Sequence, residues 1–121
     1  MHRSLVILAL AALATPAAAA DAERGGTLFQ RQCVACHQLA QPRNGVGPHL
    51  QGVVGRAAGS VQGFNYSPAM KNAGIEWTPD QLDTYLANPI AKVPGSRMPT
   101  RVPNEADRAD IIAFLQGAAT P

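Results

Sequence analysis

The 121-residue chain carries 10 basic and 8 acidic side chains for a net charge of +2, with no basic run or aromatic-interleaved basic patch. This excludes the electrostatic footprint of a nucleic-acid binder. Three phenylalanines, two tyrosines and one tryptophan are few for a self-sufficient core in a domain that buries only ~60% of its unfolded surface. The composition therefore asks for something besides side chains in the interior.

Residues 1–20 begin with the basic His2 and Arg3, continue through an apolar run from Leu5 to Ala14, and end in the small residues Ala17 to Ala20. This is the pattern of a secretory signal peptide, with cleavage expected after Ala20 and export to the bacterial periplasm. An uncleaved anchor is the alternative, disfavoured because the apolar run is too short to span a bilayer. The expected mature domain is residues 21–121, and the loss of Arg3 lowers the net charge to +1.

Asp21 can cap a helix running to about Gln38, with Gly25 and Phe29 four apart on one face and Cys33 one turn further. On such a helix Cys33, Cys36 and His37 reach one face together. Cys33-Val34-Ala35-Cys36-His37 reads as the attachment site of a c-type haem, with the two thiols becoming thioethers and the adjacent imidazole an iron ligand. Three other readings compete. A thioredoxin-like redox pair lacks its flanking strands, a zinc site finds only His49 nearby as a fourth ligand, and a disulfide between thiols three apart would staple little. A buried haem would also supply the missing apolar volume, so the haem-free chain is expected to be poorly ordered.

Leu39 to Gly63 is rich in glycine, proline, asparagine and glutamine and is predicted to be a long loop that wraps something. Ser67-Pro68 is a cap followed by proline at the first helical position, and Gly74 is expected to stop that short helix. Thr78-Pro79-Asp80-Gln81 has the form of a capping box, with Leu82, Tyr85 and Leu86 at helical spacing until Asn88-Pro89 ends the run. A second loop is predicted from Pro89 to Pro103. Asn104 opens the last helix, with Glu105 and Asp107 in its first turn and Ile111, Phe114 and Leu115 as its buried stripe. The expected fold is all-α: three or four helices and long loops around one haem.

Arg43, Arg56, Lys71, Lys92, Arg97 and Arg101 precede the acidic Glu105, Asp107 and Asp110, which predicts either a charge dipole that orients docking or an ordinary mixed surface. A second iron ligand is sought among the methionines. Met1 leaves with the signal, and Met70 sits in a short helix where methionine usually fills core. Met98 lies in Pro94-Gly95-Ser96-Arg97-Met98-Pro99, a loop stiffened by proline on both sides.

From Gly25 to Leu115 the chain resembles the class I cytochromes c, the small bacterial and mitochondrial type. The resemblance is carried by the C-x-x-C-H run, by Gly47-Pro48-His49-Leu50 with Gly55-Arg56, and by Trp77 to Tyr85 with Asn88-Pro89. Pro94 to Met98 and Arg108 to Leu115 complete it. It implies that His37 and Met98 are the axial ligands of one haem c attached through Cys33 and Cys36, and that the Pro48 carbonyl fixes the His37 ring. It further implies that Arg56, Tyr66 and Trp77 hold a buried haem propionate with Ser67 and Ser96 as helpers, and that the Tyr85 hydroxyl touches the methionine sulfur. Gly25, Phe29, Ile111 and Phe114 match the crossing of the first and last helices.

The chain departs from the family at Met70, where an asparagine is common, at Pro99-Thr100, where a phenylalanine usually follows the ligand loop, and at Ile90, Ala91 and Arg97, where many relatives carry lysine. Arginine does not deprotonate to take the iron, so a lysine-for-methionine switch is expected to weaken. His49 is assigned no ligand role. The implied function is one-electron transfer without catalysis, by a monomer making only peripheral membrane contact and meeting membrane-bound reductases and oxidases or a periplasmic dehydrogenase. The alternatives are a haem subunit of such a dehydrogenase and a five-coordinate gas binder or peroxidase.

Overall fold

A computed structural model describes residues 7, 9–12 and 19–118. The signal-peptide expectation falls largely on residues outside this set. Five helices follow in order: α1 (Ala22–Gln32), α2 (Pro68–Lys71), α3 (Pro79–Ala87), α4 (Pro89–Lys92) and α5 (Glu105–Ala118). Among the described residues there is no strand, only an isolated bridge between Ala57 and Glu76. No helix among them is long and apolar enough to cross a membrane.

Three of the helices open with one device. Ser67, Thr78 and Asn88 each accept a bond from the backbone N–H three residues on, at 3.1, 3.2 and 3.3 Å, and each is followed by proline. Proline at the first helical position loses no bond, and its fixed φ suits the turn. Asn88-Pro89 thus begins α4 as well as ending α3, which corrects the expectation of an unbroken loop from Pro89 to Pro103. The helix count rises to five because the single turn α4 replaces part of that expected loop. The capping box at Thr78 is half formed: Thr78 N–H donates to the Glu76 carbonyl at 2.7 Å, and the buried Gln81 Oε1 has no partner.

The first helix is shorter than predicted, ending at Gln32 rather than near Gln38. Its buried row, Gly25, Leu28 and Phe29, is succeeded only by the half-buried Cys33, since Arg31 and Gln32 are exposed. Beyond it Cys33 and Val34 N–H both donate to the Phe29 carbonyl, while Cys36 and His37 N–H both donate to that of Cys33. The ladder changes step and the Cys33 to His37 run becomes a pair of turns. Likewise α2 ends at Lys71, capped by Asn72, and Gly74 follows in the left-handed region at φ +66°.

The core sits where α1 crosses α5, the most extensive helix contact in the chain. Phe29 and Ile111 are 2% and 1% exposed, and the Phe29 and Phe114 rings lie 5.5 Å apart. A Cβ on Gly25 would overlap the Asp110 carbonyl, so only glycine permits this approach. Arg24 locks the crossing through Asp107 at 2.7 Å and Asp110 at 2.8 Å, and Asp110 also accepts the Asp21 N–H at 2.8 Å. Two of the three acidic residues invoked for a charge dipole thus share one guanidinium and serve the fold as well as the surface.

Candidate functional site

The long loops and the inner faces of α3 and α5 enclose a cavity of about 380 Å³. Core residues Leu82, Leu86, Val102, Ile111 and Leu115 form one part of its lining; Cys33, Cys36, His37 and Met98 form another. Arg56, Tyr66, Ser67, Trp77, Tyr85, Ser96, Pro48 and Met70 line the same cavity. The structure thus gathers every site residue expected from the sequence around one space. His49 is not among them.

On the cysteine side the 36–50 segment folds back on the turns. Gly47 N–H donates to the Cys36 carbonyl at 2.8 Å and Leu50 N–H to that of Gln38 at 2.8 Å. This brings the Pro48 carbonyl within 2.7 Å of His37 Nδ1. A carbonyl can only accept, so Nδ1 carries the proton and Nε2 is left with its lone pair. Burial holds the His37 pKa below its ordinary value, and the Arg56 charge adds a smaller push the same way against the Pro48 bond. The imidazole is neutral at neutral pH. A Cβ on Gly47 would overlap the His37 ring, so the residue before Pro48 has to be glycine for the imidazole to lie where it does.

Both thiols are free. Burial, with a lesser contribution from Cys36, pushes the Cys33 pKa up to about 11, the opposite of the depressed value a thioredoxin-like pair relies on. No group of three or more His, Cys, Asp or Glu side chains able to hold a metal ion occurs among the described residues.

The methionine side is held from three directions. The Tyr85 and Ser96 hydroxyls are 2.7 Å apart, and Ser96 Oγ also accepts the Met98 N–H at 3.4 Å. Tyr85, expected to touch the methionine sulfur, thus reaches the loop through Ser96. Val102 N–H donates to the Leu86 carbonyl at 2.8 Å. Arg108 Nη1 donates to the carbonyls of Val102 and Pro103 at 3.0 and 2.9 Å while its Nε pairs with Asp83 at 2.7 Å. Burial pushes the Tyr85 pKa up, outweighing the Ser96 bond, so its hydroxyl stays protonated.

At the remaining edge Arg56 Nη1 donates to the Gln51 carbonyl at 2.9 Å, but its Nε is buried without a partner. Tyr66 accepts the Val61 N–H at 3.1 Å, which leaves its own proton to donate. Ser67 spends its oxygen on the cap of α2 and also keeps a proton. Trp77 packs on Tyr85, ring centroids 4.9 Å apart. Phe64, half-buried on the same lining and edge-on to Tyr66 at 4.9 Å, lies in no motif and went unassigned in the sequence; Arg108 opens the last block of the resemblance, but its role shows only in its long-range pairing with Asp83.

A large apolar cavity in a small domain, two cysteines and a neutral imidazole on its wall, and a buried arginine nitrogen with no acceptor together fit a tethered porphyrin bearing carboxylates. Comparison with known proteins agrees. Residues 22–119 match the Cytochrome c family. The chain is 51% identical over 96 residues to the cytochrome c-type cyt cy of Rhodobacter capsulatus, a match covering 78% of this chain and 48% of that protein. It is 48% identical over 114 residues to the cytochrome c2 of Rhodomicrobium vannielii, covering 93% and 90% respectively. Among solved structures, cytochrome cH from Methylobacterium extorquens is similar at a TM-score of 0.75 and 40% identity, over 80% of this chain and 98% of that one. The chain belongs to the cytochrome c family: it is an electron-transfer protein rather than an enzyme, and it carries one covalently bound haem c.

Proposed function

We propose that this chain is a periplasmic one-electron carrier in which Cys33 and Cys36 tether the haem and His37 and Met98 hold its iron. The observation that carries the reading is the meeting of all four residues around one cavity, with the His37 Nε2 lone pair free. When bound, the haem supplies exchange of one electron at its iron. The residues supply the rest. Pro48 and Gly47 fix the His37 ring, so this side need not reorganise when charge changes. Ser96, Tyr85 and Arg108 hold the Met98 loop to the same end. Leu82, Leu86, Ile111 and Leu115 exclude water, which favours the form with less charge. Arg56 Nε, Tyr66 and Ser67 offer donors to a buried propionate, and Trp77 closes that edge.

A thioether ligand stabilises the reduced form and closes the iron to small molecules. The oxidised haem-loaded protein is expected to show the weak sulfur-to-iron charge-transfer band in the red, and the reduced protein to exclude carbon monoxide. Met98→Ala is expected to remove the band, lower the potential by several ~59 mV tenfold steps and admit carbon monoxide. An unchanged spectrum in that variant refutes the Met98 assignment. Ready carbon monoxide binding by the wild type turns the reading toward a gas binder.

A further inference from the structure

The methionine loop is touched from its outer side by α2. A Cβ on Gly95 would lie 2.9 Å from the Ala69 Cβ, so no side chain fits between the Gly95 backbone and the Ala69 methyl. Gly95 is at φ +95°, a conformation that glycine adopts without strain and other residues do not. Three residues further on, Met98 lines the cavity. Arg97 reaches the same segment from the loop, its Nη1 donating to the Asn65 carbonyl at 3.3 Å, but that bond is long and exposed and counts for little.

Ala69 has little room to withdraw. The α2 turn is closed by Lys71 and Asn72 N–H, which donate to the Ser67 and Pro68 carbonyls at 3.0 Å each, and by the Ser67 cap. Behind it, a Cβ on Gly59 would come within 3.0 Å of Lys71 Cα and of the Met70 carbonyl oxygen, so backbone supports the turn with no side chain between. The chain before Gly59 is itself tied down, since Ala58 N–H donates to the Ile75 carbonyl at 2.7 Å. Met70, next to Ala69, lines the cavity. The single turn is thus held between the Gly59 backbone, the cavity and Gly95.

We propose that α2 is a brace for the iron ligand, with Ala69 the positioning residue that keeps the Met98 loop closed. The proposal rests on the reading of Met98 as an axial ligand and adds what holds that ligand from the outer side. Opening the loop uncovers the Ala69 methyl along with the iron, so the contact favours the closed state by the burial of one methyl group. Tyr66 and Ser67, which offer donors to a propionate, belong to the same segment as Ala69, so the brace joins two edges of the site.

Imidazole titration of the oxidised haem-loaded protein, followed at the red band, separates a brace from a merely structural turn. Ala69→Gly and Lys71→Gly each place one glycine in α2, and both are expected to lower stability in denaturant titration. Only the first takes a methyl away from Gly95. Ala69→Gly is therefore expected to raise the apparent imidazole affinity about fourfold, the worth of one buried methyl, and Lys71→Gly to leave it within about 1.5-fold of wild type. A double-mutant cycle isolates the contact. Gly95→Ala alone bears both the strained φ and the overlap with Ala69, whereas in the Ala69→Gly background the strain alone remains, so its effect on imidazole affinity is expected to be about threefold smaller there. Additive effects in the cycle, or equal affinities in Ala69→Gly and Lys71→Gly, overturn the brace. A wild type without the red band, or a Met98→Ala variant that keeps it, overturns the Met98 reading and this proposal with it. A band present in the wild type and lost in Met98→Ala, with the two glycine variants alike, overturns this proposal alone.

Discussion

Ser96→Ala tests how the Met98 loop is held. The substitution removes the 2.7 Å partner of the buried Tyr85 hydroxyl and the 3.4 Å acceptor of the Met98 N–H. The second bond is long and counts for little. The first leaves a buried hydroxyl unsatisfied, at a cost of ~2 kcal/mol within a 1–3 kcal/mol range. That cost falls on the closed loop alone, since opening lets the hydroxyl reach water. The opening equilibrium should therefore shift ~30-fold, because 1.36 kcal/mol is a factor of ten. Added imidazole competes for the iron only when the loop opens, so its apparent affinity for the oxidised protein, titrated at the red band, is expected to rise by the same factor. Tyr85→Phe together with Ser96→Ala removes both partners and leaves no orphan, so the double variant should return to within about threefold of wild type. An imidazole affinity changed less than threefold by Ser96→Ala alone, or a double variant that binds imidazole as tightly as Ser96→Ala does, refutes the reasoning.

Three further outcomes are expected. Gly25→Ala drives a methyl into the Asp110 carbonyl and must part α1 from α5; a loss of about 3 kcal/mol or more in denaturant titration is expected, and near-wild-type stability would contradict the close approach. The Asp110 carboxyl is held below its ordinary range by the Asp21 N–H first and Arg24 second. Its stabilisation is therefore present above an unfolded value near ~3.9 and lost as pH falls through the lower folded value. Asp110→Asn should flatten that acid limb, and an identical acid profile would sink the idea. The haem-free chain, whose core residues line the cavity, is expected to melt without a cooperative transition in calorimetry.

Local chemistry made much of the fold readable. Asp21, Ser67, Thr78 and Asn104 all cap helices as expected, because a cap and the N–H that donates to it are three residues apart and need no tertiary partner. The misplacements have two causes. Asn88-Pro89 can stop one helix and start another, and sequence alone gave only the stop. The end of α1 depends on where its buried row runs out against α5, a fact about packing between residues nearly ninety apart. The pairing of Asp107 and Asp110 with Arg24 is of the same kind, and composition could only count those charges as free.

The site divides along the same line. On the His37 side everything that positions the imidazole lies within one short segment, from Cys33 to Leu50, and glycine, proline and histidine announce it in sequence. On the Met98 side the loop is pinned by Tyr85, Leu86 and Arg108, and Arg108 is itself oriented by Asp83. None of these can be inferred from Met98 and its flanking prolines. Met98 is therefore legible as a rigid loop residue, but not what makes it rigid. The cysteine wall is fixed by short-range bonds and covalent tethers, while the methionine wall depends on contacts that exist only in the folded chain. Perturbation of distant core should therefore reach the iron through Met98 before it reaches His37.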